Sequence, residues 1–168
     1  MAVYTKINKN DISFINKSFN IEKIIKFKGI KQGIENTNYL LKSKNKNFIL
    51  TIFEKRVSKK EIPFFMKLMD KLNKSKINCP KPLRTKSNSY LIKLKKKTAC
   101  IVSFLEGKDK KKLNIKDCYA VGKITAQMHL VTEKLKLYRK NSMGIKNLNP
   151  LLKSIKFKDN KFSKIDFF

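Results

Sequence analysis

The chain has 168 residues, with 41 basic and 12 acidic side chains and a formal net charge of +29. Hydrophobic residues make up 41% and aromatic residues 10%, which is enough apolar surface for one domain or two small lobes and excludes wholesale disorder. No run of about 18 apolar residues occurs and no signal-peptide pattern opens the chain, so we expect a cytoplasmic protein that is neither exported nor membrane-spanning.

The first part of the chain predicts a helix, three strands and a second helix. Apolar residues in 11–26 have the spacing of a short amphipathic helix that leads into a strand. The strand-like runs, separated by polar segments, are Ile25–Ile30, Thr37–Lys42 and Phe48–Phe53. A helical stripe of apolar residues then covers 60–74, and a start near 60–62 keeps Pro63 in the first turn, where its ring is tolerated.

The second part predicts two more strands and a third helix. The prolines in 78–83 end the second helix, and strands follow at about 90–94 and 98–105. The polar segment 106–114 connects them to a helix that begins near Asp117, a residue type that often caps helices. The predicted buried face of this helix comprises Val121, Ile124, Met128, Val131 and Leu135. The sequence that follows predicts no further element.

This order of elements predicts an α+β fold in which a five-stranded antiparallel sheet with an inserted helix precedes a hinge and a helical part. That is the layout of a protein kinase-like N-terminal lobe, which we place at 1–105, followed by the start of a helical C-terminal lobe at 106–168. In such a lobe the first hairpin covers the nucleotide phosphates. Gly33 in this hairpin fits either an ordinary turn or a phosphate-covering loop, because a residue without Cβ lets backbone amides approach a phosphate closely.

Several stretches resemble, in the same order and at similar spacing, the bacterial homoserine kinases of the aminoglycoside phosphotransferase/choline kinase-like group. They are "FKGIKQGIENTNYLL", "NFILTIFEKR", "IPFFMKLMDKL", "NCPKPL", "ACIVSFLEGKD" and "VGKITAQMHL". The run "GIENTNY", with "FEKR" and "PFFMKLM", is more specific to the homoserine kinase branch. The resemblance implies transfer of the ATP γ-phosphoryl group to the hydroxyl of L-homoserine, with Mg²⁺, on the route to threonine.

By position, the resemblance implies a nucleotide site built from the first hairpin, the third strand and the hinge. The implied contacts are Gly33, Ile34, Asn36, Thr37, Asn38, Thr51, Ser103, Phe104 and Leu105. Thr51 stands where most of the wider group has a phosphate-binding lysine, so a lysine–glutamate pair cannot be assigned there. Lys55, on the neighbouring stretch, is a weaker candidate for the missing charge.

The catalytic part of such kinases has no counterpart in this sequence. The group uses an "HGDxxxxN"-type loop, in which an aspartate orients the substrate hydroxyl and an asparagine holds Mg²⁺, and a second aspartate in an "IDF"-type stretch. His129 belongs to a helix, where packing is favoured over catalysis, and we interpret Asp166 in "KIDFF" as a chance match. We therefore predict no catalytic and no metal-binding residue here, and interpret the chain as the N-terminal portion of a homoserine kinase that alone lacks phosphoryl transfer.

Two other functions stay open. A related kinase of choline or an aminoglycoside fits as well, because in this group the substrate pocket is built largely by the C-terminal lobe. The charge of +29 also fits a non-enzymatic, lysine-rich module that binds nucleic acid. However, only three of the 41 basic residues are arginine, whose planar fork dominates base and phosphate recognition. We expect a solvated lysine-rich surface with at most nonspecific contact to nucleic acid.

The cysteines are Cys79, Cys100 and Cys118, and they share no metal-site spacing. Their odd number and the absence of an export signal indicate reduced, mostly structural thiols.

Overall fold

The computed structural model describes residues 3–54, 58–141 and 144–154. Its contacts divide the chain into two units, Met1–Leu137 and Tyr138–Phe168. The elements of the first unit are α1 (Lys9–Ser18), β1 (Lys26–Gly29), β2 (Thr37–Lys42), β3 (Asn47–Ile52), α2 (Ile62–Lys74), β4 (Leu91–Leu94), β5 (Lys97–Ser103) and α3 (Ile115–Glu133). The second unit contains α4 (Ile145–Ser154), a helix that the sequence pattern did not predict. In the described part of the chain, no helix is long and apolar enough to span a bilayer.

The strands form one antiparallel sheet in the order β1-β2-β3-β5-β4. The predicted five-stranded antiparallel sheet is therefore confirmed. Asn38 of β2 lies opposite Thr51 of β3, which lies opposite Cys100 of β5, so these three side chains share one face. Tyr39 and Leu50, one position further along, point to the other face. The fifth strand ends at Ser103, two residues before the predicted end.

One face of the sheet, here called the α1 face, is covered by α1. Ile12, Ile15 and Phe19 from the helix region pack with buried strand residues such as Leu50 and Ile101. The helix begins after Asn8, whose side chain accepts from the amide of the third helical residue in a capping box. It ends at Ser18, because Phe19 turns to an extended conformation and bridges to another segment.

The opposite face, here called the α2 face, is covered only in part. Ile62 and Met66 of α2 pack on Cys100 and Val102 of β5, and Ile49 of β3 joins this cluster. Among the described residues, β1 and β2 contribute nothing to the cluster. The half of the α2 face formed by those two strands therefore stays open.

The third helix differs from its prediction in two ways. Its N-cap is Asn114, and the predicted cap Asp117 is instead the third helical residue, whose carboxylate accepts from the amide of Asn114. The predicted buried face is also wrong: none of the side chains of α3 is buried within the described structure. Val121 is 63% exposed and Met128 38%, and Tyr119 on another side is 73% exposed. Apolar residues are distributed around this helix rather than along one stripe.

All three cysteines are free thiols in different environments. Cys100 is buried in the α2 face, and this burial raises the pKa of its thiol to about 12. Burial also raises the pKa of Cys79, which is half-buried beside Asn73. Cys118 on α3 is exposed, so the expectation of mostly structural thiols does not extend to it.

We expect Ellman's reagent to modify Cys118 first, Cys79 more slowly and Cys100 only after unfolding, because the thiolate is the reactive species and access requires exposure. Peptide mapping after brief labelling at pH 8 measures the order, with labelling in urea as the control in which all three thiols react alike. Early modification of Cys100 would contradict its placement against α2.

Candidate nucleotide-binding site

The loop of the first hairpin is open at its apex. The hairpin closes where the amide of Ile30 donates to the carbonyl of Asn38 at 2.9 Å, and residues 31–35 are exposed. Gly33 has φ of 101°, a conformation that side chains rarely adopt, and no atom lies within 4 Å of where a Cβ would stand. The glycine therefore provides the turn and leaves the backbone accessible from outside.

Two of the predicted loop residues, Ile34 and Asn36, are hydrogen-bonded to Tyr4 and Glu54. The side chain of Ile34 is 79% exposed, while its carbonyl accepts from the hydroxyl of Tyr4 at 3.0 Å. The side-chain oxygen of Asn36 accepts from the amide of Glu54 at 3.3 Å. These bonds fix the loop to the N-terminal segment and to the end of β3.

Thr37 is fully buried, and its hydroxyl makes several bonds within the protein. The hydroxyl accepts from the amides of Tyr4 and Thr5 at 3.0 and 3.1 Å and donates to the Glu54 carboxylate at 2.7 Å. The structure thus places this side chain on the α1 face, at the base of the loop. A direct contact of Thr37 with a nucleotide stays a prediction.

Asn38 and Thr51 lie side by side on the α2 face. The Thr51 hydroxyl donates to the side-chain oxygen of Asn38 at 2.8 Å, and both residues are half-buried. They stand at the border between the half covered by α2 and the open half. The pair is polar and uncharged, so it cannot supply the positive charge that the resemblance leads us to expect at Thr51.

Lysines on the open half of the α2 face do supply positive charge. Lys26 pairs with Lys42 and Lys28 with Leu40, and these positions share the face of Asn38 because side chains alternate along each strand. All three lysines are exposed. Such a surface attracts anions such as phosphates. These lysines were not among the predicted site residues, although strand alternation applied to the sequence would have placed them on this face.

The predicted hinge lies at the other end of the sheet. The amide of Ser103 donates to the carbonyl of Lys81, and the amide of Lys81 donates to the hydroxyl of Ser103, both at 2.9 Å. Phe104 and Leu105 follow the strand and are 38% and 39% exposed. Ser103 of the hinge pairs with Phe48 at the start of β3, and Thr37 at the base of the loop pairs with Ile52 at its end. Four residues of β3, at about 3.4 Å each, therefore separate the hinge from the loop by about 14 Å.

The remaining sequence candidates do not join this site. Lys55 and Asp166 lie outside the described residues. His129 is exposed on α3, and its carbonyl accepts from the hydroxyl of Thr132 at 3.1 Å. Where the structure describes the chain, no group of three or more histidine, cysteine, aspartate or glutamate side chains could hold a metal ion.

Two surface cavities of about 550 and 510 Å³ lie elsewhere. They share Asp70, Lys74 and Arg84 in their walls, and neither includes a predicted site residue. Asp70 pairs with Lys74 at 2.9 Å, and the Arg84 guanidinium stacks 4.0 Å from the centre of the Tyr90 ring. The predicted nucleotide-site residues therefore line neither of these two cavities.

The carboxylate of Glu54 is a charged group at the base of the loop, where it accepts from the hydroxyl of Thr37. Its side chain is 9% exposed, and burial alone would raise its pKa. The bonds from Lys97, Thr37 and Thr5 outweigh burial and hold the pKa of Glu54 below its ordinary value. A pKa lowered by folding stabilises the protein above the unfolded pKa, about 4.3 for glutamate, and this contribution is lost as pH falls through the folded pKa.

Two solved structures of small-molecule kinases have a fold similar to that of this chain. A spectinomycin phosphotransferase, solved with ADP and spectinomycin, matches with a TM-score of 0.64 at 16% identity, over 93% of this chain and 50% of its own. A microcompartment-associated aminopropanol kinase matches with a TM-score of 0.63 at 12% identity, over 83% of this chain and 47% of its own. These likenesses confirm the predicted kinase-like α+β fold.

The family follows from the sequence match. Residues 26–152 match the model of the phosphotransferase enzyme family, and the chain belongs to this family. The homoserine kinase of Parvibaculum lavamentivorans is 36% identical over 154 residues, which is 92% of this chain and 48% of the relative. That of Allorhizobium ampelinum is 41% identical over 145 residues, 86% of this chain and 45% of the relative. The predicted resemblance is confirmed, and the chain spans about half the length of the curated relatives it matches.

Replacing Gly33 by alanine tests the apex of the loop. We expect Gly33→Ala to lower the free energy of unfolding by about 1 kcal/mol, because its φ of 101° disfavours a Cβ although the surrounding space is open. Gly107→Ala is the matched control, since no atom crowds that position and its φ is not positive. Urea denaturation of both variants decides the point, and equal stability would contradict a strained apex.

Glu54→Gln tests the ionised carboxylate at the base of the loop. We expect the variant to be less stable than the parent at pH 7. The difference shrinks as pH falls below about 4.3, the pKa of an unfolded glutamate, because protons then bind the unfolded parent before they bind the folded one. Chemical denaturation across pH 3 to 7 measures this difference. Glu106→Gln, at an exposed position, is the control that changes stability little at any pH. A constant difference down to about pH 3 would contradict the assignment.

Proposed function

We propose that these residues form the ATP-binding part of a homoserine kinase, an enzyme that transfers the γ-phosphoryl group of ATP to the hydroxyl of L-homoserine. The observation that carries the proposal is the identity of 36% and 41% to curated homoserine kinases over 92% and 86% of this chain. The spectinomycin and aminopropanol kinases, in contrast, are 16% and 12% identical. Homoserine is therefore the favoured acceptor over an aminoglycoside or another amino alcohol.

The geometry of the sheet supports binding of ATP along the open half of the α2 face. The adenine lies at the hinge, where the strand that ends at Ser103 leaves the sheet. The phosphates lie under the loop with Gly33 at its apex, as in other kinase N-terminal lobes. The exposed lysines between these ends, Lys28 among them, complement the charge of a polyphosphate.

Phosphoryl transfer needs groups that these residues do not supply. Mg²⁺ bridges and neutralises the phosphates in such reactions, and the described residues offer no cluster of ligands for it. We assign the Mg²⁺ ligands, the catalytic aspartate and most of the homoserine pocket to the remaining half of the relatives' length. The free cysteines are consistent with activity in the cytoplasm, where thiols stay reduced.

Nucleotide binding is tested on the chain itself. We expect calorimetry to detect ADP binding, and Lys28→Glu to weaken it several-fold because a negative charge then faces the phosphates. Lys93→Glu makes the same charge change on β4, at the far edge of the sheet, and leaves the Kd within about twofold. Absence of ADP binding, or equal effects of both variants, would contradict the proposed site.

Homoserine kinase activity is tested with a hybrid enzyme. Residues 1–140 replace the matching part of the Parvibaculum homoserine kinase, and we expect homoserine-dependent ADP formation at about 1 per second or faster, a typical kinase rate. The chain alone is expected to show none. The matched control joins the same residues to the second half of the spectinomycin phosphotransferase, where the interface between the halves differs. Activity of that control alone, or turnover by the isolated chain, would overturn the proposal.

A further inference from the structure

Four polar side chains gather on the α1 face at the base of the loop, and they are here called the Glu54 cluster: Thr5, Thr37, Glu54 and Lys97. Lys97 donates to a carboxylate oxygen of Glu54 and to the hydroxyl of Thr5, the latter at 2.8 Å. The other carboxylate oxygen accepts from the hydroxyls of Thr5 and Thr37, both at 2.7 Å. One carboxylate thus joins the N-terminal segment, β2, the end of β3 and the start of β5.

The cluster is connected to the loop at two residues that follow its apex. Tyr4, next to Thr5, donates its hydroxyl to the carbonyl of Ile34, and the amide of Glu54 donates to the side chain of Asn36. Around the apex itself, at Gly33, the structure places no atom where a side chain would begin. Ile34 and Asn36 are therefore bonded to the cluster and its immediate neighbour Tyr4.

The cluster cannot touch a nucleotide on the α2 face. Lys97 shares the α1 face with Ala99, which is part of the core under α1, because alternate residues of a strand point to the same side. Thr37 shares that face with Tyr39 for the same reason. Lys97 is therefore not a replacement for the lysine missing at Thr51, which lies on the opposite face.

Stability alone does not account for an ion pair at this place. Lys97 is 40% exposed and Glu54 9%, and ion pairs add little net stability at such depths, since solvent screening and desolvation offset the attraction. Hydrogen bonds are directional, so they fix the orientation of the backbone attached to them, whereas apolar packing does not. Here the attached backbone is the loop between β1 and β2.

We propose that Lys97 and Glu54 are positioning residues for the nucleotide phosphates: together with Thr5 and Thr37 they clamp the loop from the α1 face. The N-terminal segment is then part of the nucleotide site although it contacts no ligand. The expected effect of the clamp on nucleotide affinity rests on the proposed function. Its effect on loop order is independent of any ligand.

The experiment compares Lys97→Met with Lys95→Met. Lys95 lies in the turn just before β5 and pairs with Asp11 at 3.3 Å, so its replacement removes an ion pair that has no link to the loop. We expect Lys97→Met to lower the ¹⁵N order parameters of residues 31–36 from about 0.85 to below about 0.6 and to raise the Kd for ADP about tenfold. Lys95→Met and the conservative Lys97→Arg keep both values near those of the parent.

Thr5→Val is the second variant, because it removes a hydroxyl of the cluster without leaving an unpaired charge. It therefore serves as the test if Lys97→Met prevents folding. It is expected to change loop order and ADP affinity in the same direction. Unchanged loop order in both variants would overturn the clamp. Lower loop order with unchanged ADP affinity would overturn the positioning role. A parent chain that binds no ADP but whose loop loosens in the variants would refute the proposed function and the positioning role while retaining the clamp.

Discussion

The central constraint is that a five-stranded sheet has two faces, and this chain covers them unequally. Strand residues such as Leu50 and Ile101 are fully buried under α1, and apolar burial of this kind is the main favourable term in folding. Since a shift of one residue would exchange the faces, this core also fixes the register of every strand pair. Among the residues that the structure describes, the cluster under α2 covers β3, β5 and β4 but not β1 or β2. Both the fold and the open surface for a ligand therefore depend on the same alternation of side chains.

The two faces then have different roles at the first hairpin. On the α2 face, Asn38 and Thr51 form a neutral pair beside exposed lysines. On the α1 face, the Glu54 cluster holds the base of the loop through hydroxyls and one carboxylate. Neighbouring residues of β2 thus point in opposite directions, so Thr37 can orient the loop while Asn38 lies on the side proposed for the nucleotide. The "GIENTNY" run combines an open turn with the residues that anchor it.

Much of this fold could be predicted from the sequence because its signals are local. The alternating strands, the helical stripe of α2 and the first-turn position of Pro63 all follow from short-range pattern, and each was confirmed. Contacts between distant residues could not be predicted in this way: Lys97 and Thr5 are 92 positions apart, and nothing in their local sequence indicates that they meet. The N-cap of α3 was missed because Asn114 and Asp117 are both good capping residues three positions apart, and only the backbone shows which one precedes the helix.

The third helix shows why pattern also failed to place a core. A helix that is apolar on all sides is normally surrounded by other elements, yet Tyr119 and Val121 of α3 are 73% and 63% exposed among the described residues. The curated relatives have about twice this length, which gives them further chain that can surround such a helix. The proposed nucleotide binding and the proposed phosphoryl transfer differ in the same way as the packing of the sheet and of α3. The Glu54 cluster and the sheet make their contacts within the described residues, and the proposed nucleotide surface lies there. Among the described residues, α3 is not enclosed, and the groups that the proposed phosphoryl transfer needs are not gathered.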